Sequence, residues 1–186
     1  NGRFYTLDAQ KLPGGRGHGD PIRMMIDMEG DADIVALFVQ KGGRKFLVAG
    51  RDGQGLVVNE DDCVANTRKG KQVLNVAAPN RAAAITTVSG DTVAVIGSNH
   101  KMVVFPLEQV PEMTRGRGVR LQKYSGGALS DVTTFTAKDG MTWRDAAGRE
   151  QSMTWKELTD WRGNRADAGR LAHGFPKSNK FGKGIE

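Results

Sequence analysis

Apolar residues occur along this chain in short runs that are separated by turn-forming residues. Runs rich in Val, Ile, Leu, Met and Ala are bounded by Gly, Asp, Asn or Pro, and glycine alone accounts for 25 of 186 residues. No 3.6-residue apolar period persists between these turn markers, so helices are not favoured. Short apolar runs bounded by turn residues are typical of β-strands. The pattern therefore predicts an all-β fold.

Three pairs of β-branched runs surround a glycine-containing turn. The pairs are "DIVALFVQKGGRKFLVAG", "AAITTVSGDTVAVIG" and "DVTTFTAKDGMTWRDAAG", with the turns "KGG", "SGD" and "KDG". Glycine and aspartate suit the positive φ angles of tight hairpins. We therefore predict a β-hairpin at each pair.

A pattern of about fifty residues recurs four times, which is the size of a four-stranded propeller-type blade. Each copy holds an apolar run, a polar turn, a basic glycine-rich loop and a second apolar run. The copies align on Ile22, Leu74, Leu121 and Leu171, and each has an arginine six residues earlier, at Arg16, Arg68, Arg115 and Arg165. We predict a propeller-like domain over 1–175, with repeats at 1–50, 51–97, 98–148 and, in part, 149–175, followed by a basic tail at 176–186. The alternative is a β-sandwich.

Charge narrows the class of partner. The chain carries a net charge of +6, and basic surfaces attract phosphate-bearing ligands. Acidic residues cluster apart from the basic loops, at 27–33 and 60–62. Cys63 is the single cysteine, which excludes an internal disulfide and fits a reducing cytoplasm. No apolar run is long enough to cross a bilayer, so membrane insertion is not expected.

The loop sequences and the C-terminal sequence resemble a known family. A short strand followed by "LPGGRG", the later "TRGRGV" and the ending "GRLAHGFPKSNKFG" are similar to the C-terminal domain of the DNA-cleaving A subunit of bacterial type IIA topoisomerases, namely gyrase A and topoisomerase IV A (ParC). The resemblance implies a β-pinwheel, a propeller-like disc whose blades exchange strands and whose basic rim bends duplex DNA. It also implies a cytoplasmic, nucleoid-associated domain that works with its own catalytic core and with a ParE-like ATPase subunit.

Two branches of this family differ in one motif. Gyrase A subunits carry a Q-R-R-G-G-K-G box for wrapping DNA, whereas "GGRGHGD", "TRKGKQV" and "TRGRGVR" are only partial matches. The sequence therefore favours a topoisomerase IV A domain that directs decatenation and supercoil relaxation. A gyrase-type wrapping domain and a propeller-like module that binds protein or RNA are the alternatives.

The predicted DNA contacts are the cations of the four loops, because DNA bending needs repeated phosphate neutralisation. They are Arg16, His18 and Arg23; Arg68, Lys69 and Lys71; Arg115, Arg117 and Arg120; and Arg165 and Arg170. No catalytic residue, metal site or cofactor is predicted in this chain. The loop "GGRGHGD" lacks the Walker spacing, and the three histidines lie far apart in the sequence. The resemblance implies that magnesium and ATP act elsewhere in the assembly.

Overall fold

The computed structural model describes residues 1–183 and 185, and within them the chain is all-β, as predicted. That part of the chain holds twelve strands, six short 3-10 helices and no α-helix. The strands are β1 (Arg3–Phe4), β2 (Lys45–Gly50), β3 (Gln54–Asn59), β4 (Lys71–Gln72), β5 (Ala82–Thr87), β6 (Thr92–Gly97), β7 (Lys101–Pro106), β8 (Val119–Arg120), β9 (Leu129–Phe135), β10 (Met141–Arg144), β11 (Glu150–Met153) and β12 (Arg170–Leu171). The 3-10 helices are Ala9–Lys11, Ile22–Met24, Glu60–Cys63, Leu107–Gln109, Ala137–Asp139 and Glu157–Trp161.

Two four-stranded antiparallel sheets share one plan. Their strand orders are β5-β2-β3-β8 and β9-β6-β7-β12, while β1 pairs only with β4, and β10 only with β11. In each four-stranded sheet a hairpin forms the centre, and the two flanking strands come from later in the chain. The sheet built on β2 and β3 therefore draws its strands from three of the predicted repeats.

The three predicted hairpins are wrong. β5 and β6 lie in different sheets, as do β9 and β10, and 33–39 contains no strand. The hairpins are instead β2-β3, β6-β7 and β10-β11, which turn at 51–53, 98–100 and 145–149. In two of the predicted turns, "SGD" and "KDG", the glycine instead allows the chain to pass close to a neighbouring strand of the sheet that it enters. At Gly90, with φ of 80°, a β-carbon would lie 2.3 Å from the carbonyl carbon of Phe135 in β9.

The core consists of three apolar clusters that alternate with the sheets. The central cluster lies between the two four-stranded sheets and includes Leu47, Val57, Val95 and Phe105. A second cluster packs the outer face of the β2-β3 sheet towards β1, and a third packs β6 and β7 against β10. Because the four-stranded sheets are covered on both faces, the central strands are apolar at nearly every position, and all six residues of β6 are buried.

The last part of the described chain packs against the third cluster. Phe175 stacks on Trp143 at 5.0 Å between ring centroids, and Phe181, which lies within the predicted tail, is fully buried. The amide of Phe181 donates to Asp131 Oδ2 at 2.8 Å, and its carbonyl accepts from the amide of Arg144 at 2.8 Å. Burial raises the pKa of the Asp131 carboxyl. Backbone and aromatic contacts therefore hold this segment on β9 and β10.

Candidate nucleic-acid interface

The basic loops end at three short strands that are built alike. β4, β8 and β12 pair with β1, β3 and β7, each of which begins its pairing at a turn. The residue before each short strand is a glycine with φ between 70° and 74°: Gly70, Gly118 and Gly169. A β-carbon there would lie 2.6, 1.9 or 2.3 Å from a carbonyl oxygen of the partner strand. Each loop thus passes too close to the preceding sheet for any side chain at this position.

A second contact repeats at the same three places. The amide directly after each short strand, three residues after the glycine, donates to the carbonyl of the residue directly before the partner strand, at 2.7–3.2 Å. The pairs are Val73 to Gly2, Leu121 to Gly53 and Ala172 to His100. We call the three segments 67–71, 113–120 and 164–171 the junction loops.

Aligning the loops on these glycines shifts them by up to two residues relative to the sequence alignment. Counting back from the glycine, Arg68 lies two residues earlier, Arg115 three and Arg165 four. The shared arginine therefore does not occupy one structural position. The loops differ in length, and the alignment on apolar anchors hid that difference.

In the junction loop 67–71, all three cations are exposed, and one of them also bonds within the protein. Arg68 donates to the carbonyl of Met24 at 2.6 Å and pairs with Asp27 at 3.3 Å. Lys69 and Lys71 are exposed. The two lysines are therefore the residues of this loop that are best placed for a phosphate.

The junction loop 113–120 presents three exposed arginines. Arg115 donates to Asn75 Oδ1 at 3.3 Å, and Arg117 pairs with Asp52 at 3.4 Å while 68% of its side chain stays exposed. Arg120 lies in β8, opposite Gln54. These long contacts orient the arginines without burying their charge.

The junction loop 164–171 reaches back to the previous junction loop. Arg165 Nη1 donates to the carbonyl of Arg120 at 2.9 Å, so the two loops touch. Arg170 is exposed and lies 3.7 Å from Asp160. The structure therefore brings Arg165 beside Arg120, whereas Arg170 lies near Asp160.

The first predicted loop has a different environment. Every residue from 11 to 20 is exposed, including Arg16 and His18, and this loop lies against no sheet. The guanidinium of Arg23 donates to the carbonyls of Met28, Glu29 and Ala32 at 2.8–3.3 Å. Arg23 therefore braces the chain that follows the loop, and less of its donor capacity remains for DNA.

Arg3 is a cation that the loop alignment missed. It lines a surface groove together with Lys71 and Arg115, and its Nη1 donates to the carbonyl of Lys69 at 3.2 Å. The same groove also contains Asp62. Arg3 lies in the first apolar run, so only the pairing of β1 with β4 brings it beside the basic loops. This groove connects the junction loops 67–71 and 113–120.

Three cations outside the loops form ion pairs within the protein. Arg44 binds the buried Glu60 at 2.6 Å, Lys45 binds Glu112 at 2.6 Å, and Arg81 binds Asp31 at 2.9 Å. The bond from Arg44 lowers the pKa of Glu60 to about 2. Among the described residues no His, Cys, Asp and Glu cluster could hold a metal ion. Residues 1–183 and 185 also contain no helix that could cross a membrane.

Comparison with known proteins defines the class first. No family model matches the chain. Its fold matches the structure of the E. coli ParC C-terminal domain with a TM-score of 0.79 and 22% identity, over 95% of this chain and 75% of that one. It also matches a DNA gyrase A C-terminal domain with a TM-score of 0.66 and 15% identity, over 91% and 56% of the two chains. The chain therefore has the fold of the C-terminal domains of bacterial type IIA topoisomerase A subunits.

Sequence comparison then separates the two branches. The chain is 46% identical to the A subunit of DNA topoisomerase 4 from Caulobacter vibrioides over 182 residues, and 38% identical to that from Rickettsia bellii over 181 residues. Each match covers 97% of this chain and 24% of the relative, so the chain spans about a quarter of these proteins. The chain thus belongs to the topoisomerase IV A family, and the resemblance that the loops and the ending predicted is confirmed.

Proposed function

We propose that this chain is a non-catalytic domain that binds and bends duplex DNA within a topoisomerase IV A subunit. One observation carries the proposal: successive junction loops touch one another and each carries exposed cations, which we infer to form a row. Arg165 contacts the backbone at Arg120, and Arg115 shares a groove with Arg3 and Lys71. A row of cations fits a phosphate backbone, whose charges recur along the duplex.

The sheet plan supports a β-pinwheel as the scaffold of this row. The short outermost strand of each four-stranded sheet, β8 or β12, comes from the loop that follows the next hairpin in the chain. Neighbouring units therefore exchange strands. A regular rotation between such units would place the junction loops along a curved rim. Bending 20–30 base pairs smoothly costs on the order of 1–6 kcal/mol, which several phosphate contacts together can offset.

In the whole enzyme, such a domain would hold a second duplex segment near the cleavage core. It would thereby favour the DNA crossings that decatenation and supercoil relaxation remove. Cleavage with magnesium and the ATP-driven steps would belong to the core and to a ParE-like subunit. This division of labour agrees with the relatives, which are about four times longer than this chain.

The first test measures duplex binding by fluorescence anisotropy across a salt series. Replacing Arg115, Arg117 and Arg120 with Ala should weaken binding at least about tenfold near 0.1 M salt and reduce the log–log salt slope by about 2 to 3. The fold should stay intact, because these side chains are exposed. The matched control removes three exposed cations outside the junction loops, Lys138, Arg149 and Lys156, and should change binding much less.

Energy transfer between dyes on the two ends of the duplex then measures bending. The wild-type domain should shorten the end-to-end distance, and the triple variant should not. Unchanged affinity in the triple variant, or binding that does not depend on salt, would contradict the proposal and favour a protein-binding module. Tighter binding to double-stranded RNA of the same sequence would favour the RNA alternative.

A further inference from the structure

One arginine of each junction loop forms an ion pair with a carboxylate that lies outside the loop. The pairs are Arg68 with Asp27 at 3.3 Å, Arg117 with Asp52 at 3.4 Å and Arg170 with Asp160 at 3.7 Å. Each of these arginines lies within two residues of the positive-φ glycine that precedes the short strand. The three ion pairs therefore occur at corresponding places in the three loops.

These pairs differ from a structural ion pair in their exposure to solvent. The arginine side chains are 60% exposed at Arg68, 68% at Arg117 and 72% at Arg170. In the buried pair of Arg44 and Glu60, by contrast, only 14% and 2% of the side chains are exposed. Exposed pairs contribute little to folding stability. The junction-loop arginines therefore remain open to a ligand, and each of them meets that ligand with a carboxylate alongside.

The carboxylate of Asp52 is held in place by the turn between β2 and β3. The amide of Asp52 donates to Asn80 Oδ1 at 3.1 Å, and Asp52 Oδ1 accepts from the amide of Gln54 at 3.2 Å. Oδ2 is the oxygen that faces Arg117, and only 27% of the Asp52 side chain is exposed. The carboxylate thus keeps its position whether or not the arginine contacts it.

Backbone structure also places the other two carboxylates. The amide of Asp27 donates to the carbonyl of Arg68 at 2.8 Å, so the aspartate stays beside the loop that contains its partner. Asp160 lies in the 3-10 helix Glu157–Trp161. In all three loops, an acidic group that the fold has positioned contacts the charge that we expect to meet DNA.

We propose that Asp27, Asp52 and Asp160 compete with DNA phosphates for the arginines of the junction loops and thereby lower the affinity for duplex DNA. Carboxylate and phosphate oxygens occupy the same donors of a guanidinium, so a phosphate gains its bond as the carboxylate loses one. An exposed pair changes such an equilibrium by at most about fivefold, so each carboxylate reduces binding without blocking it. The domain then releases a duplex readily. This inference rests on the proposed function.

The test compares two triple variants that change the net charge equally, by anisotropy titration of one duplex near 0.1 M salt. The first removes the paired carboxylates with Asp27→Asn, Asp52→Asn and Asp160→Asn. The control removes three exposed carboxylates that form no ion pair within residues 1–183 and 185, with Glu108→Gln, Asp139→Asn and Glu150→Gln. The first variant should bind about five- to twentyfold more tightly than wild type, and the control less than about threefold. Equal tightening would overturn the proposal.

A double-mutant cycle isolates the contact between Asp52 and Arg117. Asp52→Asn should tighten binding about two- to fivefold in the wild-type background and less than about 1.5-fold once Arg117→Ala has removed the partner. Asp62→Asn is the local control, because Asp62 lines the groove beside Arg115 and forms no ion pair in the described part of the chain. Equal effects of Asp52→Asn in both backgrounds would show that only local charge matters and would overturn the competition.

Dissociation rates supply a second readout. Loss of a local competitor should slow dissociation, whereas a distant change of charge mainly alters association. In stopped-flow measurements, the variant without the paired carboxylates should dissociate at least about threefold more slowly than the control. Equal dissociation rates, with binding that still requires the arginines of 113–120, would overturn this inference alone. Absence of duplex binding by the wild-type chain would overturn the proposed function as well.

Discussion

The first loop and the junction loop 113–120 have similar sequences and different surroundings. "GGRGHGD" at 14–20 is exposed throughout, and β-carbons at its glycines would contact nothing within 4 Å. "TRGRGVR" at 114–120 lies against β3, where a β-carbon at Gly118 would fall 1.9 Å from the carbonyl oxygen of Gly55. An arginine-glycine motif therefore does not by itself position its arginines. Their position depends on the strand against which the loop packs.

The largest expected difference between the two loops is in stability. Gly118→Ala places a β-carbon against backbone that cannot rotate away, so we expect a loss of at least about 4 kcal/mol in the free energy of unfolding. Gly15→Ala should cost only about 1–2 kcal/mol, from the left-handed backbone. Urea denaturation of both variants measures the difference. Similar losses at the two positions would show that the first loop is packed as tightly as 113–120.

A smaller effect on the free energy of unfolding is expected from the contacts that join the N-terminal region to β2. The buried Glu60 accepts from Arg44 and from the amide of Lys41, which lowers the pKa of its carboxyl from 4.5 to about 2. A carboxyl with a lowered pKa stabilises the fold above about pH 5, and this contribution disappears as the pH falls towards 2. A shift of this size corresponds to about 3 kcal/mol at neutral pH.

Glu60→Gln tests this anchor. The variant should lose most of that stability at pH 7 and should show a weaker dependence of unfolding free energy on pH between 5 and 2. The exposed Glu108→Gln is the control and should change stability by less than about 0.5 kcal/mol. An unchanged pH profile in Glu60→Gln would mean that other carboxyls cause the acid sensitivity.

The smallest expected effect concerns DNA affinity. Arg117→Ala should weaken duplex binding by about three- to tenfold, whereas Arg16→Ala in 1–186 should have less effect, because ordering its loop on DNA costs conformational entropy. Anisotropy titrations of both variants measure this. A larger effect of Arg16 than of Arg117 in 1–186 would reverse the comparison.

Sequence reasoning identified the loops and missed their differences. The glycines and cations at 67–71 and 113–120 are local features, and both segments form junction loops. The hydrogen bonds from Arg68 to Met24 and Asp27 could not be predicted, since these partners lie more than 40 residues away in sequence. Arg3 was missed for the same reason. Its place beside Lys71 and Arg115 follows from a pairing between β1 and β4 that no local pattern encodes.

The sequence by itself determined that the chain is all-β, that its strands are short, that basic glycine-rich loops recur, and that it resembles topoisomerase IV A. These properties follow from local composition and spacing. Tertiary structure alone decided which strands pair, because the apolar runs are alike and each strand could satisfy its backbone with several partners. The nearest turns suggested that β2 pairs with 33–39 and β6 with β5, but 33–39 forms no strand and β5 lies in the other four-stranded sheet. Close backbone contacts at Gly70, Gly118 and Gly169 select one register, and that register determines which arginines face solvent.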